Sequence, residues 1–333
     1  MIKGKNILIT GGGGFIGSAL AEKLVQHNHV VLLDNDFEHN SFAFTKLKGN
    51  GYVERIQSDI LDIEKISQAT REAQIVVHMA AKVGVQEVIN DSLNTLEVNY
   101  IGTSNLLKSL ASNQNCERVL VFSTSEVFGV HAFGIAENGD SILSSVQDIR
   151  WCYCISKLAA EQLAFSYFRQ KGLPVVVIRP FNIFGPNRVG DHVVLRFILR
   201  ALQNENLQIY GDGTQIRAWC YIDDFCDGIL RAMEVPGAVG QAFNIGNHHN
   251  TITIFGLAKK IIELCGSKSG VDFKSLDFAD IDIRVPNISK AIKILDFVPK
   301  VELDEGLADT IEWVKENMDA IISYNSHKRA YVV

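Results

Sequence analysis

The sequence predicts an α/β fold in which a doubly wound parallel β-sheet is covered by helices on both faces. The first observation is a series of short, almost continuously apolar segments, as expected for strands buried on both faces of a sheet. The second is that segments of helical periodicity separate these strands, which indicates right-handed crossover connections. The third is a glycine-rich turn that follows the first apolar segment and opens the first helix.

The predicted elements alternate regularly through the first half of the chain. We expect strands at 6–10, 29–34, 52–60, 74–81, 118–125 and 174–180, separated by helices at 14–27, 63–70, 94–112 and 151–172. After Pro180 shorter strands and a turn at Gly211–Gly213 are mixed with helices at 192–205, 224–234, 253–265 and 304–317. We therefore expect a sheet domain at 1–180 and mainly a smaller lobe at 181–333, with segments around 218–250 returning to the sheet domain.

Composition excludes several classes of protein. The chain has 333 residues, 47% of them hydrophobic, which is enough for one large domain or two fused ones. The net charge of -6 comes without a basic block, so we expect no nucleic-acid partner. There is neither an 18-residue apolar run nor a signal-peptide pattern after "MIKGK", which predicts a cytoplasmic protein with no membrane association. The six cysteines form no CxxC pair or zinc spacing, so we expect reduced thiols and no metal.

The stretch "GGGGFIGSAL" contains the spacing G-x-x-G-x-x-G between a strand and a helix. Gly11 permits a turn that a side chain would forbid, and Gly14 lets the backbone approach a diphosphate. Gly17 lies in the following helix, where Phe15 and Ile16 begin the first turn with free N–H groups and a partial positive charge. The pattern indicates a dinucleotide diphosphate site, while a tight turn without a ligand remains the alternative.

Acidic residues follow the second and third predicted strands. A carboxylate at Asp34 accepts hydrogen bonds from a ribose 2′-hydroxyl and repels a 2′-phosphate, which favours NAD over NADP. Asp36 adds to that repulsion, and Asp59 ends the third predicted strand within reach of an adenine amino group. A solvated acid in a turn is the alternative for Asp34.

Tyr153 and Lys157 lie four residues apart on a predicted helix, so both project from one face. An ammonium group beside the phenol would lower its pKa, as would a positive nicotinamide ring. The phenolate could then remove a proton from an alcohol as hydride leaves for NAD. Thr124, at the same edge of the sheet, could hydrogen-bond the same substrate hydroxyl. By itself the Y-x-x-x-K spacing also occurs in surface and packing pairs.

The order of motifs resembles the extended short-chain dehydrogenase/reductase family that modifies nucleotide sugars. The resemblance covers nearly the whole chain and rests on "TGGGGFIG", "HMAA", "VNYIGTSNLL", "STSEVFG", "YCISK", "RPFNIFGP", "GDGTQIRAWCYIDDF" and "NISKAIKILDFVPKVELDEGL". It implies a Rossmann-like domain with tightly bound NAD, and oxidation of a UDP-linked sugar at C4. It also implies a homodimer held by four helices, which agrees with apolar residues around much of the helices at 94–112 and 151–172.

The resemblance also assigns residues to ligands. Near the cofactor it places, besides the residues above, Ile60, Ala80, Ala81, Lys82 and Asn99. Asn182 and Arg217 would hold the diphosphate of the sugar nucleotide, with Arg284 as a second cation and Ser125 beside the sugar. Arginine suits this role because its planar fork of donors matches phosphate oxygens.

The residues after Thr124 bear on which reaction follows oxidation. Ser125 stands where the dTDP-glucose 4,6-dehydratases have an aspartate, and the run Thr-Ser-Glu resembles the UDP-glucuronate decarboxylases. Glu126 would then act as acid or base near C5 or C6 while a β-keto acid loses CO2. The alternatives are a 4-epimerase of UDP-glucose, UDP-N-acetylglucosamine or UDP-glucuronate, then a dehydratase, and outside the enzymes an NAD-binding regulatory protein.

Overall fold

A parallel β-sheet with helices on both faces organises the chain. The computed structural model describes residues 2–48, 53–275 and 281–330, without the side chains of 85, 86, 131 and 326–330. The strands are β1 Asn6–Thr10, β2 His29–Asp34, β3 Val53–Gln57, β4 Ile75–His78, β5 Arg118–Phe122, β6 His131–Ile135, β7 Val175–Pro180, β8 Ile183–Phe184, β9 Leu207–Tyr210, β10 Ile216–Ala218, β11 Cys220–Tyr221, β12 Gln241–Ile245, β13 Thr251–Thr253, β14 Val271–Lys274 and β15 Ile283–Pro286. The helices are α1 Phe15–Leu24, α2 Ile63–Thr70, α3 Val85–Asn90, α4 Ser92–Leu96, α5 Gly102–Leu110, α6 Cys152–Lys171, α7 Val193–Leu202, α8 Ile222–Glu234, α9 Ile254–Leu264, α10 Ser289–Leu295 and α11 Leu303–Ala330.

Within the described residues the main sheet has seven strands in the order β12-β7-β5-β4-β1-β2-β3, and every pair in it is parallel. Along β1, Ile7 and Ile9 join one apolar cluster while Leu8 joins another, so both faces are covered. The strand order reverses between β1 and β4, and ligands of such sheets bind in the crevice at the carboxyl ends of the strands there. The predicted Rossmann-like fold class is confirmed.

Three strands of the main sheet end earlier than predicted, each at the edge that faces this crevice. β3 ends at Gln57, β4 at His78 and β5 at Phe122, each earlier than expected. Tyr52, the first residue of the predicted third strand, lies outside the described residues. The residues beyond these strand ends belong to loops. The sequence of these loops resembles that of a strand where their apolar side chains pack against the same core.

The predicted helix at 94–112 is interrupted. It consists of α4, a π-helical turn over Glu97–Ile101, and α5. Such turns insert one residue into the helical ladder and are frequent at functional sites. Here the turn carries Asn99, which is buried and hydrogen-bonded to the loop after β4. Helical periodicity does not reveal this insertion, because the apolar spacing continues on both sides.

A second set of elements covers the carboxyl ends of the main sheet. It contains a sheet in the order β13-β10-β15-β6 and the pairs β11-β8 and β14-β9. β6 comes from the first half of the chain but pairs with β15, whereas β12 comes from the second half and pairs with β7. The division at residue 180 remains our proposal, with β12 as the returning segment.

The C-terminal half keeps its predicted helices with shifted ends. α8 begins at Ile222, and α11 continues to Ala330, well beyond the predicted 304–317. Gly211 and Gly213 have φ of 75° and 78°, as the predicted turn requires. Among the described helices, none is both long and apolar enough to cross a membrane.

Candidate active site

The glycine-rich turn forms a tight cradle between β1 and α1. Gly11 has a φ of 71°, and a Cβ atom there would lie 2.7 Å from the backbone nitrogen of Ala80. A Cβ atom at Gly17 would collide with the carbonyl of Gly11, so the helix can approach the strand only with glycine there. Gly14 caps α1 without a side-chain hydrogen bond to the helix, which leaves first-turn N–H groups, from Phe15 onward, for a ligand. This neutral cradle fits a dinucleotide diphosphate.

Asp34 is buried at the end of β2 and faces the same turn. Its carboxylate accepts hydrogen bonds from the backbone N–H groups of Gly13, at 2.8 Å, and Asp36, at 3.1 Å. Burial raises the pKa of Asp34, although these two hydrogen bonds oppose the shift. A carboxylate held beside the cradle is where a ribose hydroxyl is expected, so the placement fits the predicted preference for NAD.

Asp59 differs from its expected place. It lies two residues beyond the end of β3 in an exposed turn, where its carboxylate accepts the N–H of Leu61 at 2.8 Å. Its contact with adenine remains a prediction. Ile60 beside it is buried, and a Cβ atom on Gly102 would lie 2.6 Å from its Cγ2. Ile60 therefore packs directly on α5.

The loop after β4 is tied to the π-helical turn. Asn99 accepts the N–H of Lys82 at 2.8 Å and donates to the Lys82 carbonyl at 3.2 Å and to Ser156 at 3.0 Å. Ala80 and Ala81 lie between β4 and this junction and are half-buried. The Lys82 ammonium pairs with Asp91 at 2.8 Å. Asn99 thus fixes the loop against α6, which carries the predicted tyrosine and lysine.

Thr124 and Tyr153 meet at the carboxyl edge of the sheet. Thr124 caps a short 3-10 turn over Ser125–Phe128, accepting the N–H of Glu126 at 3.2 Å. Its hydroxyl lies close enough to the Tyr153 phenol to act on the pKa of that phenol and lower it. The two hydroxyl groups therefore converge from β5 and α6 on one point, as a shared contact to a substrate hydroxyl requires.

The predicted lowering of the phenol pKa is wrong for the protein alone. Burial raises the pKa of Tyr153, and the negative charge of Glu126 raises it further, against the hydrogen bond from Thr124 and the charge of Arg284. Lys157 does not counter this shift, because its ammonium group is turned to the Phe122 carbonyl at 2.8 Å. A positive nicotinamide ring beside the phenol would act in the opposite direction to burial.

Lys157 is buried beneath the tyrosine. Burial lowers its pKa to about 8, although the charge of Glu161 opposes the shift. His78, at the end of β4, is also buried, and burial together with the charge of Lys157 lowers its pKa to about 3. His78 is therefore neutral and links the Thr10 hydroxyl, at 2.7 Å, to the Thr103 hydroxyl, at 2.9 Å. This chain of hydrogen bonds stiffens the strand ends below the site.

Glu126 lies between two arginines. Arg150 approaches one carboxylate oxygen at 2.8 Å, and Arg284 approaches the other at 3.4 Å. Burial alone would raise the pKa of Glu126, but the charges of Arg284 and Arg150 outweigh it and hold the pKa below its ordinary value. Glu126 is therefore a carboxylate at neutral pH, able to accept a proton but not to donate one.

Arg217 and Arg284 are direct neighbours across β10 and β15. Both are buried, and Arg217 donates to the carbonyls of Ile216, at 3.0 Å, and Asp282, at 3.4 Å. The Arg284 Nε and Nη2 atoms are buried without a hydrogen-bond partner in the described part of the chain. Asn182 has a φ of 42° and donates to the carbonyl of Ala218 at 2.9 Å, which joins β8 to this pair of strands. Ser125 is buried in the turn after Thr124.

Sequence reasoning missed Arg150. It stands three residues before Tyr153 and is buried against Glu126, with its guanidinium 5.9 Å from the Trp151 ring centroid. In the sequence its only signal was its position just before "YCISK", a motif that was interpreted for its tyrosine and lysine. All six cysteines are free thiols, and the described residues contain no group of three or more metal-binding side chains. Cys154 donates to the Glu126 carbonyl at 3.0 Å, a packing contact behind the site.

Comparisons with known proteins agree with this geometry. Residues 7–246 match the model of the NAD dependent epimerase/dehydratase family. UDP-N-acetyl-alpha-D-glucosaminuronate decarboxylase of Bacillus cytotoxicus is 36% identical over 94% of this chain and 98% of its own length. UDP-glucuronic acid decarboxylase 1 of Xenopus tropicalis is 35% identical over 95% of this chain and 73% of its own length.

Among solved structures, UDP-glucuronic acid 4-epimerase from Bacillus cereus, in complex with UDP-glucuronic acid and NAD, has a TM-score of 0.86 at 28% identity. The alignment covers 93% of this chain and 99% of that one. The chain belongs to the NAD-dependent epimerase/dehydratase family, the nucleotide-sugar-modifying group of the extended short-chain dehydrogenases/reductases, and its cofactor is NAD.

Proposed function

We propose that this enzyme is a decarboxylase of a UDP-linked hexuronate. The observation that carries the proposal is the incompletely satisfied guanidinium of Arg284 beside Tyr153. Its Nε and Nη2 atoms are buried without a hydrogen-bond partner among the described residues, and its Nη1 atom lies 3.4 Å from Glu126. A buried cation needs an anionic partner, because desolvation of an uncompensated charge is costly. A carboxylate on the substrate would supply that partner, whereas a neutral hexose would not.

Arg284 is the residue best placed to receive this carboxylate. Its Nε and Nη2 donors are buried without acceptors among the described residues, and only Nη1 reaches Glu126. Its charge also acts on Tyr153, so it lies close to the point where C4 of the sugar would bind. This differs from the role of diphosphate ligand that the family resemblance implied for Arg284. Arg217, its neighbour on β10, keeps the diphosphate role in our proposal.

The residues perform proton transfer and charge stabilisation. Bound NAD supplies the acceptor and later the donor of the hydride at C4. Tyr153 accepts the proton of the C4 hydroxyl, which leaves a 4-ketone β to the carboxylate held by Arg284. The C5–C6 bond then breaks, CO2 leaves, and the electron pair passes to the C4 oxygen, where Tyr153 and Thr124 stabilise the enolate with hydrogen bonds. After C5 has taken up a proton, Tyr153 returns its own proton to the C4 oxygen.

Glu126 serves the proton transfer at C5 in this scheme. A carboxylate that is held ionised cannot itself deliver the proton, so we infer that Glu126 orients the donor, such as water. Its negative charge also offsets part of the positive charge of Arg150 and Arg284. When CO2 departs, the negative charge of the substrate moves from the carboxylate to the enolate oxygen, where it stays until C5 is protonated.

The second candidate is a 4-epimerase of UDP-glucuronate. UDP-glucuronate 4-epimerase of Thermodesulfobacterium geofontis is 30% identical over 95% of this chain and 98% of its own length. An arginine that binds the C6 carboxylate suits this reaction equally. The ionised Glu126 beside C5 favours decarboxylation, because exchange at C4 alone needs only the tyrosine.

The test is product analysis by NMR with UDP-glucuronate, UDP-N-acetylglucosaminuronate and UDP-glucose. We expect CO2 and a UDP-pentose, or its N-acetylamino analogue, from one of the uronates and no turnover of UDP-glucose. Recovery of a C4 epimer with its carboxylate intact would establish the epimerase instead. Arg284→Met should weaken binding of the uronate roughly 10- to 100-fold without changing the affinity for UDP. Arg217→Met is the matched control and should weaken both ligands.

We also propose that the enzyme is a homodimer. α4 and the following π-helical turn expose large apolar side chains in the single chain, Leu93 at 68%, Leu96 at 39% and Ile101 at 44%. They lie beside α6, which packs on the same turn. Apolar residues grouped in this way mark an interface. Light scattering at micromolar concentration should give twice the monomer mass, and a monomer would overturn the proposal.

A cytoplasmic location likewise remains a proposal from composition.

A further inference from the structure

A second cation without an anionic partner lies at the cofactor side of the crevice. Arg188 stands in the loop between β8 and α7, and its guanidinium lies 5.2 Å from the ring centroid of Phe15. Phe15 is the first residue of α1, so the loop after β8 reaches the cradle that holds the NAD diphosphate. The Nε atom of Arg188 is buried and has no hydrogen-bond partner within the described residues.

The described part of the chain provides no carboxylate that compensates the charge of Arg188. None of the described carboxylates lies within ion-pair distance of it, whereas Arg196, one helical turn into α7, pairs with Asp191 at 2.7 Å. His192 lies between the two arginines, and burial, followed by the charges of Arg188 and Arg196, lowers its pKa well below the ordinary value, so it stays neutral. The phenol of Tyr324 is the other titratable group near Arg188. Burial lowers the pKa of Arg188 to about 10, the direction expected for a desolvated cation.

We propose that Arg188 binds the diphosphate of NAD and completes a cradle that is otherwise built from neutral glycines and the N-terminus of α1. The guanidinium lies over the ring of Phe15, a contact that occupies none of its N–H donors, and its buried Nε has no acceptor among the described residues. A diphosphate carries two negative charges, and without Arg188 the cradle stabilises them only with backbone dipoles. An arginine here adds charge-assisted hydrogen bonds, which retain the cofactor through a reaction that consumes none of it.

Packing alone is the competing explanation for the arginine. A guanidinium stacked on an aromatic ring covers apolar surface without any anion, as Arg196 does 5.3 Å from the ring centroid of Tyr210. The two arginines differ in charge compensation, because Arg196 has Asp191 and Arg188 has no acid. This difference makes Arg196 a matched control for Arg188.

The experiment measures NAD and ADP-ribose affinity by calorimetry for Arg188→Met, Arg188→Lys and the control Arg196→Met. Methionine keeps the contact with Phe15 but removes the charge, so we expect Arg188→Met to weaken both ligands roughly 10- to 100-fold. Lysine should restore part of the loss, and Arg196→Met should bind both ligands within about twofold of the unmodified protein. Thermal unfolding of each variant establishes that it is folded.

The outcomes separate the explanations. NAD affinity unchanged in Arg188→Met would show that the arginine only packs, and it would overturn the proposal. A loss of UDP affinity with NAD affinity intact would assign Arg188 to the substrate diphosphate and overturn it as well. An equal loss in Arg196→Met would show a general effect of charge rather than a contact. None of these readings depends on which nucleotide sugar the enzyme converts.

Discussion

Replacing Glu126 by glutamine tests the chemistry of the site most directly. The change keeps the shape of the side chain and one acceptor oxygen but removes the negative charge between Arg150 and Arg284, at 2.8 and 3.4 Å. Breaking a buried ion pair by removing one partner costs about 3–5 kcal/mol. Because the glutamine keeps one acceptor oxygen, we expect the free energy of unfolding to fall by about 3 kcal/mol, the lower end of this range. At roughly 2 °C per kcal/mol for a chain of this size, Tm should fall by about 6 °C.

The kinetic effects of Glu126→Gln should have opposite signs in the two stages of the reaction. The charge of Glu126 raises the pKa of Tyr153, so its removal lowers that pKa, and more phenolate is present at a given pH. The pH at which C4 oxidation reaches half its maximum should therefore move downward. Formation of the decarboxylated product should slow by about 100-fold or more, because the proton donor for C5 is no longer oriented.

Single-turnover kinetics with UDP-glucuronate measure both stages, through the absorbance of reduced cofactor and through released CO2. The matched control is Glu161→Gln, because Glu161, on α6, forms a buried bidentate pair with Arg179, on β7, at 2.8 and 2.7 Å. Glu161→Gln should lose about as much stability as Glu126→Gln. Its ratio of CO2 release to cofactor reduction should stay that of the unmodified protein. Normal CO2 release by Glu126→Gln, with Tm lowered as expected, would refute a role for Glu126 after oxidation.

Three further predictions concern the catalytic tyrosine, the choice of cofactor and the buried lysine. Tyr153→Phe should reduce turnover at least about 100-fold with NAD affinity and Tm nearly unchanged, and near-normal turnover would exclude Tyr153 as the base. The unmodified protein should bind NAD more tightly than NADP in calorimetry, and Asp34→Asn should narrow that preference; equal affinities before mutation would contradict the assignment of Asp34. Lys157→Met should remove a pH-dependent destabilisation of about 3 kcal/mol that acts below pH 8, because burial lowers the pKa of Lys157 from 10.5 to about 8 and the folded protein carries the charge at a cost. Loss of the hydrogen bond to the Phe122 carbonyl subtracts a part that does not change with pH. This gain in unfolding free energy should fade between about pH 8 and 10.5, as the lysine becomes neutral in both the folded and the unfolded state. Denaturant unfolding that gives the same gain below pH 8 and above pH 10.5 would contradict the prediction.

Local sequence was sufficient for the fold class and for part of the site. The glycine spacing at 11–17 and Asp34 lie within one βαβ unit, so chain connectivity itself brings them together. Tyr153 and Lys157 share a helix face for the same reason, and Thr124 follows a strand whose carboxyl end must lie at the crevice. These groups were predicted because short-range periodicity and the parallel order of strands determine their positions.

The electrostatics of the site were decided only by tertiary packing. Glu126 comes from a turn after β5, Arg150 from the residues before α6, and Arg284 from β15, 158 positions away from Glu126 in the chain. No periodicity relates these residues, so the ionised state of Glu126 and the raised pKa of Tyr153 could not be derived from spacing. The pKa depends on burial and on charges within a few ångströms, and both are properties of the folded chain.

The sequence by itself determined which chemical groups are present and, through strand order, at which edge of the sheet they gather. Only the tertiary structure decided which charged groups lie close to one another: that Lys157 faces a backbone carbonyl rather than the phenol, and that Arg188 lies over the ring of Phe15 at the start of α1. The physical reason is the separation along the chain over which each effect acts. Periodicity and turn chemistry act over a few neighbouring residues, whereas burial and Coulomb interactions join groups that the chain brings together from distant segments.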